Sequence, residues 1–284
     1  MNIFEAIILG IVQGLTEFLP VSSSGHLVLL QRVFKIEQTS LFFDTMLHAG
    51  TLAAVFIVLW KDILSILKKP FQRLTGLLII ATIPAVIAAL TLKDSIESIF
   101  ISAKYLGWCF LITTALLVTA EILSRRSTVK KIDTDKNAPV QQNENKKKPE
   151  GCSFLQALFI GIMQAIAIPP GISRSGATIS GALFCKLDRD FAARFSFLLS
   201  IPAILGAVVL QAKDLIGENA AQAGAGIGIL PLIAGTLTAA VVGFFAVKFM
   251  LKIIREKSLF GFAIYTFILG VLILIDQFAS KIVF

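Results

Sequence analysis

The sequence predicts an all-α polytopic membrane protein, with six full transmembrane helices and two re-entrant helical hairpins arranged as an inverted-topology repeat. Three observations carry that prediction. Of 284 residues, 56% are hydrophobic and only 15% charged, against about 25% charged in soluble domains, which excludes an ordinary soluble enzyme. Apolar runs recur at the length of about 20 residues that a helix needs to cross a bilayer. Finally, two apolar stretches spell nearly the same string: EAIILGIVQGLTEFLPVSSSGH from Glu5 to His26, and QALFIGIMQAIAIPPGISRSGA from Gln156 to Ala177.

The region 3–34 and its counterpart 153–186 are each broken near the middle by a Pro/Ser/Gly motif. Each half has about 10–17 residues, too few to cross alone. Broken helices at membrane depth need protein or a wet cavity to receive the freed backbone groups, so both regions read as re-entrant hairpins. Six further runs have full span length, at about 42–60, 74–92, 105–123, 192–212, 228–250 and 260–280. The polar segment 124–152, containing VQQNENKKKPEG, has the composition of a flexible cytoplasmic linker. The chain thus divides into repeat 1 (1–123), the linker, and repeat 2 (153–284). The N-terminus does not read as a signal peptide, because no basic region precedes the apolar run and Glu5 interrupts it.

Charge placement orients these spans. If 42–60 runs inward, nineteen of the 26 Lys and Arg lie on the cytoplasmic side, six lie outside, and Arg174 stays in its motif. The positive-inside rule favours that arrangement and leaves both termini outside. The net charge of +8 is then a topology signal, and no nucleic-acid partner is expected. Three spans separate the hairpins, an odd number, so the second enters from the opposite face. ATIPAVIAAL at 81–90 echoes LSIPAILGAV at 199–208, which supports duplication. Inverted repeats with broken helices place a site near the midplane, where half-helix N-termini converge. Cys109, Cys152 and Cys185 lack metal-ligand spacing and read as packing residues or free thiols.

Without gaps, Gly10 falls on Gly161, Gln13 on Gln164, Ser22 on Ser173, Ser24 on Ser175 and Gly25 on Gly176. Three mismatches stand out: Ser23 faces Arg174, His26 faces Ala177, and Glu17 faces Ile168. Serines at helix starts act as caps, and a helix N-terminus is also an anion site. A guanidinium grips phosphate oxygens in a fork and keeps its charge, so Arg174 in a membrane hairpin is a functional candidate. Glu17 and His26 sit in apolar surroundings and must pair or face water. Gln13 and Glu17 share one helix face, and His26 follows Ser23 by three positions. A hydroxyl, an imidazole and a carboxylate near two anion-binding helix starts make a hydrolytic constellation. Other polar residues have plainer readings. His48 is expected to be a helix-packing histidine, Asp44 an outer helix-start acid, and Glu121 and Asp276 interfacial. Asp188, Asp190 and Arg194 read as a cytoplasmic turn network. AGAGIGIL at 223–230 lacks the Lys and Ser/Thr of a P-loop.

QGLTEFLPVSSSGH and PGISRSGATISGAL resemble the two signatures of the bacterial undecaprenyl-diphosphatase (bacitracin-resistance) family. RFSFLLSIPAILGA and FAIYTFILGVLILI resemble further family segments, so the resemblance covers the chain apart from 124–152. It implies removal of the terminal phosphate of undecaprenyl diphosphate within the bacterial cytoplasmic membrane, recycling the lipid carrier for cell-wall synthesis. It also implies an outward-facing site and a divalent cation, Mg²⁺ or Ca²⁺. Carried over by position, the catalytic set is Glu17, Ser23, His26 and Arg174. Gln13, Ser22, Ser24, Gly25, Ser173, Ser175, Gly176 and Thr178 would bind the diphosphate. Either Ser23 or water is the nucleophile, and Glu17 is either a metal ligand or the base. Gln13 departs from members that carry Glu there. The expected partner is the lipid diphosphate in the bilayer, and a homodimer is compatible with the sequence. The rival reading is a transporter or flippase of lipid phosphate or small anions, built on the same repeat.

Overall fold

The computed structural model describes residues 1–36, 41–92, 98–99, 102–135, 151–216 and 228–284. Positions 136–150 of the expected linker and 223–227 of the glycine-rich stretch lie outside the described residues. Among the described residues the regular structure is entirely helical. The first half contains α1 (Ile3–Thr16), α2 (Ser23–Val33), α3 (Leu41–Val58), α4 (Trp60–Lys68), α5 (Arg73–Thr91) and α6 (Leu106–Asp135). The second contains α7 (Phe154–Ile166), α8 (Arg174–Phe184), α9 (Arg189–Ile216), α10 (Ile229–Glu256) and α11 (Phe260–Ile275). A π turn, Asp276–Ser280, closes the described helices.

Among the described residues, five helices are long and apolar enough to cross a membrane: α5, α6 over Leu106–Arg125, α9 over Arg189–Leu210, α10, and α11 with its π turn. A sixth exists only if α3 and α4 count as one span, and they bend by 80°. The span expected at 42–60 is thus α3, followed by a sharp corner at Leu59 (φ −98°, ψ 23°). α4 explains the corner. It buries Ile63, exposes Trp60 and Leu67, and carries Lys61, Asp62 and Lys68, the one-sided composition of a helix at a membrane interface. Downstream, α6 continues to Asp135, well into the segment read as a linker. Extending a formed helix is far easier than starting one.

α1 and α7 open alike. Asn2 and Ser153 accept the N–H groups of Glu5 and Gln156, whose side chains return the bond to the cap N–H, a capping box at both starts. At 14 and 13 residues they reach about 20 Å, short of a hydrocarbon core of about 30 Å. Their packing is reciprocal: α1 lies against α10, and α7 against α5. Both contacts are backbone-close at a glycine. A Cβ on Gly10 would lie 2.4 Å from Gly235 O, and one on Gly161 2.4 Å from Ala81 O, so only glycine fits. α6 pairs with α11, α3 with α10 and α9, and α8 with α6 and α9. The main core gathers Phe18, Leu77, Leu117, Phe195 and Phe197 beneath the hairpin tips. Outward faces of α5, α10 and α11 are apolar, for example at Ile87, Leu90, Val241, Phe245 and Leu272, as lipid contact requires.

Away from the hairpin tips, the helix ends are tied by ion pairs and caps. Glu121, near the end of its span, is 2% exposed and acts as a buried hub. Its carboxylate accepts from Arg125, Arg189 and the Leu259 N–H. Asp188 caps α9 through the N–H groups of Asp190 and Phe191, and Asp190 pairs with Arg194 and Arg255. Arg194 also reaches Asp62 on α4, so the expected turn network is wider than its own segment. Asp276 caps the N–H groups of Ile282, Val283 and Phe284.

Candidate active site

The two hairpin tips touch. Ser22, the N-cap of α2, has φ 68° and ψ 91°, a conformation costly for a residue with a Cβ. Four bonds hold it there. Its carbonyl accepts the His26 N–H at 3.2 Å and the His26 ring at 2.6 Å. Its Oγ accepts the Gly25 N–H at 3.3 Å and, from the other tip, the Gly171 N–H at 3.1 Å. Gly171 has φ +95°, and a Cβ there would meet Cys109 Cβ at 2.7 Å and Leu106 O at 2.8 Å. Ser175 Oγ donates to Leu19 O at 2.9 Å. Thr113 on α6 clamps the second tip, donating to Gly171 O and accepting the Ser173 N–H, each at 2.9 Å.

This contact brings the starts of α2 and α8 onto one cavity of about 200 Å³. Glu17, Ser22, Ser23, Ser24, His48, Ser173 and Arg174 supply its polar wall. Ala167, Ile168, Ile172, Ala203, Ile204 and Ala207 supply an apolar one. First-turn amides of a helix have no intrahelical acceptor, so two such sets begin beside the cavity.

Glu17 is the hub. It extends the turn of α1, its N–H bonded to Gln13 O, and it is 5% exposed. Its Oε1 accepts from Arg174 Nη2 of the other hairpin. Its Oε2 accepts the Ser23 hydroxyl at 2.5 Å and Gln13 Nε2 at 2.9 Å, and lies 3.1 Å from His48 Nδ1. One carboxylate therefore joins residues from four helices. Arg174 Nη1 is buried and has no protein acceptor. An unfilled guanidinium donor at an anion cavity is a place for a phosphate oxygen.

Three expected site residues, Glu17, Ser23 and Arg174, thus come together, and Ser22, Ser24 and Ser173 line the same cavity. His26 does not join them. Its Nδ1 donates to Ser22 O, which can only accept, and its Nε2 meets Tyr265 Oη at 2.7 Å. The ring stacks on Tyr265 and meets Phe110 edge-on. Both nitrogens point away from Ser23 in this structure, and the Nδ1 bond helps to hold the Ser22 turn. Thr178 also turns away, donating to Arg174 O at 2.9 Å and meeting Ser196 Oγ on α9 at 2.6 Å. Gln13, Gly25, Ser175 and Gly176 lie behind the cavity wall. Ser173 Oγ accepts the Gly176 N–H at 3.0 Å, and a Cβ on Gly25 would strike Gly171 Cα at 2.9 Å. These residues build the cradle from behind and do not line it.

Two participants were not legible. Thr113 sits in an apolar span with no local signal. His48, expected to be a packing residue, lines the cavity against Glu17. Its isolation in an apolar run was the available signal.

Glu17 does not suit a metal. Its two oxygens already serve Arg174, Ser23 and Gln13 and face His48, and a dication there would stand against the guanidinium. The nearest orphan oxygen, Gln13 Oε1, is a single amide, whereas Mg²⁺ and Ca²⁺ take six or more oxygens. Among the described residues no group of three His, Cys, Asp or Glu side chains could hold an ion.

The family model described as bacitracin resistance protein BacA matches residues 6–272. The chain belongs to the BacA family. The second hairpin, all but the first three residues of the first, and the Glu17–Arg174 pair fall within the matched range. Among relatives of this BacA chain, an undecaprenyl-diphosphatase of Carboxydothermus hydrogenoformans is 48% identical over 281 residues, covering 99% of this chain and 100% of the relative. Undecaprenyl-diphosphatase 3 of Bacillus cereus is 46% identical over 99% of each chain. An undecaprenyl-diphosphatase of Methanosphaera stadtmanae is 39% identical, covering 97% of this chain and 98% of the relative.

Proposed function

We propose that this protein hydrolyses undecaprenyl diphosphate to undecaprenyl phosphate and inorganic phosphate, the activity named in its relatives. One observation carries the reading: a serine hydroxyl donates at 2.5 Å to a buried carboxylate whose other oxygen is held by an arginine from the opposite hairpin. Transport of a phosphate group requires no such nucleophile and base.

In the proposed mechanism, the terminal phosphoryl group enters the cavity and its oxygens meet Arg174 Nη1 and the first-turn amides of α2 and α8. The C55 tail stays in the bilayer, with its first units against Ile168, Ile172, Ala203, Ile204 and Ala207. Glu17 Oε2 takes the proton of Ser23 as Oγ attacks phosphorus. The bond to the bridging oxygen breaks, and its electron pair leaves on undecaprenyl phosphate. Water then attacks the phosphoserine, releasing inorganic phosphate. General-base assistance of this kind contributes about 10²–10⁴-fold. A divalent cation, Mg²⁺ or Ca²⁺, belongs to the proposal as an ion arriving on the diphosphate oxygens, where it would neutralise charge.

The same proposal puts the site toward the outer face of the bacterial cytoplasmic membrane, with both termini outside and the hairpins as halves of an inverted repeat. The reciprocal packing of α1 on α10 and α7 on α5 supports that symmetry, and the basic bias of the sequence supports the orientation. The decisive assay is phosphate release from undecaprenyl diphosphate by purified protein with Mg²⁺ or Ca²⁺, with Ser23→Ala as control. Release that depends on Ser23 supports the reading. No release with either ion overturns it in favour of transport.

A further inference from the structure

We propose that His48 is the proton relay of the site, taking from Glu17 the proton that Ser23 gives up. The inference rests on the phosphatase reading above and adds a residue to it.

The tautomer of His48 follows from its neighbours. Glu17 Oε2 accepts only, so the Gln13 amide end 2.9 Å from it is the NH₂. That same nitrogen lies 2.7 Å from His48 Nδ1, so Nδ1 is an acceptor and the ring proton sits on Nε2. The Nδ1 lone pair then lies 3.1 Å from Glu17 Oε2, the oxygen that receives the Ser23 hydroxyl at 2.5 Å. Ser23, Glu17 and His48 form a donor, a carrier and a basic nitrogen in series, and Gln13 Nε2 must release the Nδ1 lone pair before it takes the proton.

Burial makes a relay necessary. The Glu17 side chain is 3% exposed, and that of His48 is 27% exposed. Arg174, the other charged neighbour of Glu17, cannot take a proton. His26, the other of two histidines in the chain, is bonded to Ser22 and Tyr265. Few charges compete around His48. Asp44 lies one turn earlier on α3, and Glu17 and Arg174 face it from the hairpins. α9 has no titratable residue between Arg194 and Lys213, and α10 none before Lys248.

The proton count closes. In the first half-reaction the Ser23 proton passes through Glu17 to His48 Nδ1 while the P–Oγ bond forms and the bridging P–O bond breaks. In the second, water adds to phosphorus, and the His48 proton returns through Glu17 to Oγ as P–Oγ breaks. Both hydrogens of that water leave on inorganic phosphate, as H₂PO₄⁻, from which one can pass to solvent. His48 acts through Glu17, so its removal should slow turnover and leave substrate affinity nearly intact.

The test measures phosphate release from undecaprenyl diphosphate by wild type, His48→Gln and His48→Ala across pH, together with the imidazole ¹⁵N spectrum of the wild type. The expected results are a kcat for His48→Gln lowered about 100-fold with KM within about threefold, and loss of one limb of the wild-type pH–rate profile. Added imidazole should restore His48→Ala at least about tenfold. The spectrum should show opposite tautomers, Nδ1–H for His26 and Nε2–H for His48. This last readout needs no variant to fold. A His48 with its proton on Nδ1 overturns the relay, as does a His48→Gln enzyme with unchanged kcat and pH profile. If the wild type releases no phosphate, the phosphatase reading falls and the relay falls with it. If the wild type is active and His48→Gln equally so, only the relay falls.

Discussion

Glu17 and Arg174, 157 positions apart in the chain, close one ion pair across the tips of the two hairpins. Neither hairpin has a complete site. The first contributes a carboxylate and a hydroxyl, the second a cation, and the pair forms only when both tips occupy one cavity.

Replacing Arg174 tests that dependence. Arg174→Ala leaves the Glu17 carboxylate buried without its cation, which costs about 3–5 kcal/mol, and removes the orphan donor Nη1. Thermal unfolding in detergent should show a lowered midpoint, and kcat/KM should fall by about 10²–10³-fold. Arg174→Lys should recover part of the stability and little of the activity, because an ammonium cannot bond Glu17 and a phosphate oxygen in one planar fork.

Ser23→Ala should reduce phosphate release by at least about 10³-fold with little change in the unfolding midpoint, since one hydrogen bond is worth about 1 kcal/mol. Acid quenching of the wild type during turnover of substrate labelled in the terminal phosphate should trap label on Ser23. Substantial turnover by Ser23→Ala would leave water as the direct nucleophile.

Two glycines should respond in opposite directions. Gly161→Val puts side-chain atoms where a Cβ alone would already stand 2.4 Å from Ala81 O, and backbone cannot give way cheaply. A loss of about 1–3 kcal/mol is expected, read as a lower unfolding midpoint. Gly206, inside α9, has nothing within 4 Å of its Cβ position. Gly206→Ala should raise stability by up to about 1 kcal/mol, from helix propensity alone.

Glu121→Gln separates structure from chemistry. It weakens the bonds to Arg125, Arg189 and Leu259 N–H far from the cavity. The unfolding midpoint should drop, reflecting a loss of about 3 kcal/mol, while kcat per folded molecule stays within about twofold. A large fall in kcat without a change in midpoint would contradict the assignment.

Much of the frame can be read from apolar run length. The expected spans near 74–92, 105–123, 192–212, 228–250 and 260–280 correspond to α5, α6, α9, α10 and α11. The span at 42–60 corresponds to α3, while the 80° bend into α4 at its end leaves no mark in hydropathy, which counts residues and does not register one-sided polarity. The partners of Glu121 beyond its own helix are equally out of reach of run length: Arg189 and the Leu259 N–H come from two other segments.

Within the site, the sequence by itself determined which groups exist and which must be satisfied. Glu17, Ser23 and Arg174 stand in apolar repeats where a polar side chain needs a partner, and their mismatch between the repeats marks them. Only the tertiary structure decided who those partners are. It turned His26 toward Tyr265, 239 positions away, and brought His48 to Glu17 from α3. A hydrogen bond is fixed by side-chain direction over a few tenths of an ångström, and that direction comes from helix packing, which sequence spacing within one segment does not encode.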